Sequence, residues 1–349
     1  MSIGDYVAEH GVYSEEVLPI EFVEAMAPPE PPTENVHDDW VSSLACSSTG
    51  LFLSGSYDNM ARIWSSAGEQ LALMQGHEGP VTAVAWFPQG VAGDGHGEAA
   101  EGGARAGGSA ASADDDDGGA KPGSLRCVTG SEDETLRTWT VDSAGATTCE
   151  EICEAHTQGV TSVAVQPTGA MFASGSADRS IHLWSATVNS DDAGSNVDSS
   201  SGGGSKRRKT GDDEPRTKAP LGQLSGSTAG VLAVVWPDRG QLYSAGEDHC
   251  VRMWDVETAT NTNTMASSKV INALAYSAAN NYVAAGCFDG QVRMFDPRSD
   301  ASAVVAMSLS SHRRPVMSVA WSPTNNNSIA SASQDGAGHN LKLWDIRSG

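Results

Sequence analysis

The sequence predicts an all-β chain folded as a propeller. Three observations carry that prediction. A hairpin-like stretch recurs six times, an Asp in its turn is followed at a near-constant distance by an aromatic residue, and a further strand pattern stands upstream. The stretch is clearest at Phe172-Ala-Ser-Gly-Ser-Ala-Asp178-Arg-Ser-Ile-His-Leu-Trp184. A small-residue strand, a turn and an alternating strand ending on Trp follow one another there. A fixed element that returns at roughly 40–45 residues, once insertions are set aside, has the period of propeller blades.

Taken in order, the copies are Ser54-Gly-Ser-Tyr-Asp58 running to Trp64, Thr129-Gly-Ser-Glu-Asp133 to Trp139, and Ser174 through Asp178 to Trp184. Ser244-Ala-Gly-Glu-Asp248 then runs to Trp254, Ala285-Gly-Cys-Phe-Asp289 to Phe295, and Ser331-Ala-Ser-Gln-Asp335 to Trp344. The aromatic follows the Asp by six residues in the first five, and Gly336-Ala-Gly-His339 stretches the last interval to nine. Upstream, His77 leads into Val81-Thr-Ala-Val84, His156 into Val160-Thr-Ser-Val163 and His312 into Val316-Met-Ser-Val319. His37 precedes Val41 by the same four residues, and Gln70-Leu-Ala-Leu-Met74 is expected as the outer strand of the first unit. The fourth and fifth repeats have no such His; Gly226-Ser227 stands in its place in the fourth.

Residues 1–27 lie outside the repeat: a short helical turn stopped by Gly11, then an alternating Val17-Leu-Pro-Ile-Glu-Phe-Val23. Residues 28–36 begin with Pro28-Pro-Glu-Pro-Pro32, a stiff, extended linker. The propeller is expected over 37–349. Two segments inside it, 88–123 and 186–220, are too rich in Gly, Ser, Ala and Asp to bury a core and read as disordered insertions. The second carries a basic cluster, Lys206, Arg207, Arg208 and Lys209. A four-residue basic run in an accessible loop reads as a nuclear localisation signal, the alternative being charge balance for the surrounding acids.

The 349 residues carry a formal net charge of -23, which argues against sequence-independent nucleic-acid binding by the whole surface. The six Cys are scattered, so Cys149 and Cys153 lack a second ligand pair for a metal, and five positions, Cys46, Cys127, Cys250, Cys287 and one of Cys149 and Cys153, read as small core residues in or beside strands. A reducing compartment fits that usage. No apolar run approaches the roughly 18 residues of a membrane span. No phosphate loop or nucleophile elbow is present, and no cofactor is expected.

The unit of His, strand, turn, strand, Ser/Thr, Asp, strand and Trp closely resembles the WD-repeat family. That resemblance implies four hydrogen-bonded tetrads: His37/Ser54/Asp58/Trp64, His77/Thr129/Asp133/Trp139, His156/Ser174/Asp178/Trp184 and His312/Ser331/Asp335/Trp344. A Ser/His/Asp set also suggests a hydrolase triad, but one that recurs four times, each with its own Trp, is structural.

Three features narrow the resemblance: Ile20-Glu-Phe-Val-Glu-Ala25 before the Pro-rich linker, Leu51-Phe-Leu-Ser-Gly-Ser-Tyr-Asp58 as first hairpin, and the basic insertion after the third repeat. Together they are similar to the WD-repeat subunit family of the PeBoW ribosome-biogenesis complex. Its members carry an N-terminal ubiquitin-like domain before a seven-bladed propeller. The resemblance implies a nucleolar and nucleoplasmic scaffold in pre-rRNA processing and maturation of the pre-60S ribosomal particle. It implies the block-of-proliferation protein and pescadillo as partners, and release by the midasin AAA ATPase. Residues 1–27 then correspond to the end of the ubiquitin-like domain, and Glu15 to the acid that completes the midasin metal ion's coordination. With six repeats encoded, either the ring is six-bladed or the sequence is a version shortened at both ends, and set beside the family the partial N-terminal domain favours the second. The alternative function is a substrate receptor of a cullin–RING ubiquitin ligase, suggested by Trp344-Asp345-Ile346-Arg347.

Overall fold

The computed structural model describes residues 36–88, 124–187, 215–298, 307–310, 312–335 and 340–347. Glu15, the linker before Val36, nearly all of 88–123 and the cluster Lys206–Lys209 lie outside them. The described residues form twenty-four strands and no helix.

Six sheets, antiparallel but for one added parallel strand, make six blades. Blade one is β1 (Val41–Cys46), β2 (Phe52–Ser56), β3 (Ala61–Trp64) and β4 (Gln70–Met74), paired in that order. Blade two is β5 (Val81–Trp86), β6 (Leu125–Ser131), β7 (Thr135–Val141) and β8 (Thr147–Glu154). Blade three takes β9 (Val160–Val165), β10 (Met171–Ser176) and β11 (Ile181–Ser185). Beyond them β12 (Arg216–Lys218) joins blade two, and β13 (Gly222–Leu224) completes blade three. Blade four is β14 (Val231–Val235), β15 (Gln241–Gly246), β16 (Cys250–Asp255) and β17 (Thr260–Ala266). Blade five is β18 (Ile271–Ser277), β19 (Tyr282–Cys287), β20 (Gln291–Phe295) and β21 (Met307–Ser310). Blade six is β22 (Val316–Trp321), β23 (Ser328–Ser333) and β24 (Leu341–Asp345).

The first strand of each blade faces the common axis, and neighbouring blades pack through these inner strands. The sequence dictates how closely they pack. Gly55, Gly130, Gly175 and Gly286 lie on second strands, where a Cβ would fall within 2.6–2.7 Å of a Cγ1 of Val81, Val160, Val231 or Val316 on the next blade. The missing side chain is the socket for the valine, and each of the four valines is at most 1% exposed. A polar belt runs beside this packing. The hydroxyls of Ser42, Thr82 and Thr161 donate to the carbonyls of Val81, Val160 and Val231, and Asn272 Nδ2 donates to the Val316 carbonyl at 3.0 Å. Apolar clusters therefore span blade boundaries: Val128, Leu136 and Cys153 of blade two pack with Val160, Phe172 and Trp184 of blade three.

The two end blades differ from the rest. Val41 and Leu44, counterparts of the buried Val81 and Val84, are 53% and 64% exposed, and Leu341 and Leu343 on β24 are also exposed. Blade six has three strands among the described residues.

Two expectations change. The span 186–220 does not begin and end as disordered chain: Ala186 is buried, and Arg216–Lys218 form β12 in parallel register with β8. Lys218 Nζ holds Glu151 at 2.7 Å, an ion pair that fixes this polar strand where no apolar side chain announced one. Cys127, Cys153 and Cys287 are buried and Cys250 is half-buried, but Cys46 is exposed. It ends β1, four of whose six residues are exposed to solvent.

Candidate functional site

In blades one to five the turn places the Asp in the same way. The carboxylate caps the amide two residues on: Met60 N–H donates to Asp58 at 3.0 Å, Thr135 to Asp133 at 3.0 Å and Ser180 to Asp178 at 2.8 Å. This Asx turn carries the intervening residue into left-handed backbone: Asn59, Glu134, Arg179 and His249 have φ between 62° and 74°, and Gly290 has 80°.

The turn delivers the Asp to the His of the preceding loop, and four relays result. His37 Nδ1 meets Asp58 at 2.7 Å, His77 meets Asp133 at 2.8 Å, His156 meets Asp178 at 2.9 Å and His312 meets Asp335 at 2.7 Å. The Nε2 atoms lie 2.7–2.8 Å from Ser54, Thr129, Ser174 and Ser331. Those hydroxyls also accept the indole N–H of Trp64, Trp139, Trp184 and Trp344 at 2.8–2.9 Å. Chemistry sets the direction. The indole only donates, so the hydroxyl gives its proton to Nε2, and Nδ1–H donates to a carboxylate that only accepts.

The electrostatics agree. For Asp178 burial pushes upward, yet hydrogen bonds from Ser180, the Thr157 amide and His156 hold the carboxyl down at about 2. Burial likewise opposes, but does not prevent, a lowered Asp58, Asp133 and Asp335, each held by its His and by backbone amides. Burial lowers the imidazoles of His37 and His156 against the pull of their carboxylates. At His37 and His156 the chain of groups is thus a neutral imidazole between a hydroxyl and an ionised acid. In a hydrolase the hydroxyl would face substrate. Here Ser54, Thr129, Ser174 and Ser331 are at most 3% exposed and already hold a tryptophan, so the arrangement ties turn to strand.

Blades four and five reach the same end without a His. Arg252 Nη1 grips Asp248 at 2.5 Å, and Arg293 grips both oxygens of Asp289 at 2.6 and 2.9 Å. Trp254 still donates to Ser244 at 2.8 Å. Blade one has both devices, Arg62 meeting Asp58 at 2.8 Å. The sequence reading missed this cation, although Asp and Arg four residues apart recur at 58/62, 133/137, 248/252 and 289/293. Blade three departs from it with His182.

The inner strands enclose a channel of about 440 Å³ lined by Ser42, Thr82, Thr161, Asn272 and Met317 among others. Trp344-Asp345-Ile346-Arg347 carries a forked ion pair, Arg347 bonding both oxygens of Asp345 at 3.0 and 2.6 Å. Asp296 and Arg298 in blade five do the same at 2.9 and 3.0 Å, so the fork is a feature of strand ends rather than of one motif. Cys127 and Cys153 are buried, and burial raises both thiols to about 12.

Comparison with known proteins accords with this geometry. The family profile described as "WD domain, G-beta repeat" matches residues 32–65, 147–185, 218–255, 260–296 and 304–345. It passes over residues 66–146, which hold the first three strands of the second blade, where an insertion separates His77 from Thr129 in sequence while the fold brings them to 2.7 Å. A protein of Nematostella vectensis named ribosome biogenesis protein WDR12 homolog is 37% identical over 97% of this chain and 73% of its own length. Proteins of the same name from Ixodes scapularis and Oryza sativa subsp. japonica are 31% and 32% identical, over 100% and 99% of this chain and 74% and 73% of their own lengths.

Proposed function

The chain belongs to the WD-repeat family, in its group of ribosome biogenesis proteins, and on that premise we propose that it is a non-enzymatic scaffold in maturation of the large ribosomal subunit. The observation that carries the reading is similarity along nearly the whole chain to proteins named for ribosome biogenesis. The relays support the scaffold part, because their hydroxyls are saturated and buried. Exposed apolar side chains on the end blades, Trp40, Val41 and Leu44 among them, suit a protein that works by contact.

The finer assignment rests on the resemblance in the sequence. The propeller binds the block-of-proliferation protein, and pescadillo joins through it, forming the PeBoW complex on the pre-60S particle in the nucleolus. Within an intact ubiquitin-like domain Glu15 gives midasin a carboxylate for its metal ion, a hard oxygen ligand for a hard cation. Lys206–Lys209 direct nuclear entry. Capture of the tagged chain from nuclear extract tests this reading. Recovery of block-of-proliferation protein and pescadillo supports it; recovery of a cullin–RING adaptor without them replaces it with the ligase reading.

A further inference from the structure

Blade three breaks the cation rule of its neighbours. Across the second and third strands the relay hydroxyl stands opposite a basic residue: Ser54 opposite Arg62, Thr129 opposite Arg137, Ser244 opposite Arg252, Ser331 opposite Lys342. In blade five Ala285 faces Arg293. At this register blade three has His182, opposite Ser174.

His182 is 7% exposed, and its Nδ1 has no hydrogen-bond partner. The other ring nitrogen is occupied, because the Gly222 backbone on β13 hydrogen-bonds this ring. A neutral imidazole that gives its Nε2–H to a backbone carbonyl presents a bare lone pair at Nδ1, the state in which histidine ligates metals. The ring belongs to a cluster. The His156 and His182 rings are 4.5 Å apart at their centroids, and ligand atoms of His156, Asp178 and His182 all lie within 4.8 Å of one another.

We propose that blade three binds one zinc-class divalent ion between His182 Nδ1, His156 Nδ1 and an Asp178 carboxylate oxygen. Two imidazoles and one carboxylate form a ligand set that such ions take, with water in the fourth position. Bonds of about 2.0–2.1 Å place tetrahedral ligands about 3.3 Å apart, so small rotamer changes close the set. The ion supplies the positive charge that a guanidinium supplies in blades one, four and five.

The proton balance closes within the relay. The ion displaces the proton on His156 Nδ1, which moves to Nε2 and is donated to Ser174 Oγ. The Ser174 hydroxyl proton then turns toward the carbonyl of His182, its register partner on β11. The same turn is within reach in blades one and two, where Ser54 and Thr129 lie 3.5 Å from the carbonyls of Arg62 and Arg137. No net proton leaves the site. Asp178 stays oriented by the Ser180 amide at 2.8 Å and the Ser180 hydroxyl at 2.6 Å, the outer support a ligating carboxylate needs.

The test is Zn²⁺ titration of the chelator-stripped full chain against a chromophoric competitor, with His182→Arg as the matched variant. Arg stands at this register in four other blades, so the variant is expected to fold. The wild type should take up one equivalent that His182→Arg does not, and Zn²⁺ should raise the melting temperature of the wild type alone. Co²⁺ should give the visible absorption of a four-coordinate site in the wild type only. If His182→Arg misfolds, His182→Gln is read the same way. No equivalent bound by the wild type, or equal uptake and equal thermal shift in the variant, overturns the proposal.

Discussion

Trp184 Nε1 donates to Ser174 Oγ at 2.8 Å across β10 and β11, with both residues fully buried. The contact joins a large apolar body to the polar relay, so Trp184→Ala removes both. The expected cost is about 3–5 kcal/mol, from the cavity and the stranded hydroxyl. Trp254→Ala should fall in the same range, because Trp254 is equally buried and bonds Ser244 without help from a His. Urea unfolding measures both; a midpoint unmoved by either change would remove the relay from the account of stability.

Gly130→Ala tests the packing between blades. The new Cβ would stand 2.6 Å from Val160 Cγ1, on a strand that cannot retreat without moving blade three. Overpacking of this kind costs about 1–3 kcal/mol. Gly240→Ala is the control, since a Cβ there meets nothing within 4 Å. Equal unfolding midpoints for the two variants would show that the valine socket has slack.

Stability should fall in acid in two stages. Burial lowers His37, so as pH drops below the ordinary value of 6.5 the unfolded chain gains a proton that the folded chain resists. Its stabilisation is complete above that pH and is lost toward the lower folded value. Asp58 and Asp335 are also lowered, so their share is present above 3.8 and is lost below it. Urea midpoints between about pH 8 and about pH 3 record the two stages. His37→Gln should shrink the upper one and leave the share of His156, which burial also lowers; a midpoint that rises as pH falls from about 7 to about 5 would reverse the sign.

Much of this was legible in the sequence because the Asp-to-aromatic interval repeats. One strong period locates hairpins, turns and buried tryptophans together, and the His placed the relays. The residues that escaped have no period. Arg216-Thr-Lys218 are polar and pair in parallel with a strand of another blade, so local pattern says nothing of them. Cys46 sits on a strand like the other cysteines, but its exposure depends on what packs beside β1. His182 looks ordinary alone and is informative only when aligned with Arg62, Arg137, Arg252 and Arg293.

Replacing Lys206, Arg207, Arg208 and Lys209 by Ala should reduce nuclear accumulation of a fluorescently tagged chain. A receptor reads such a run as an exposed charge cluster, and the substitution removes all four charges. An unchanged nuclear signal would mean entry by another route or on a partner.

Glu15→Ala, made in a version with a complete ubiquitin-like domain, should abolish metal-dependent capture of midasin and leave capture of pescadillo unchanged. Ala offers no oxygen to the ion, and Glu15→Asp should also fail because Mg²⁺ tolerates little departure from octahedral geometry. Glu16→Ala is the control. Full midasin capture by Glu15→Ala, still broken by chelator, would move the ligand to another acid.

The most direct measurement of the central claim is the ratio of free large to small ribosomal subunits after depletion of this protein, read on a sucrose gradient. The account predicts a selective fall in large subunits, restored by the wild-type chain and not by a variant that carries both Trp184→Ala and Trp254→Ala. An unchanged ratio, with the protein depleted and growth of the cells otherwise sustained, would contradict a role in ribosome biogenesis.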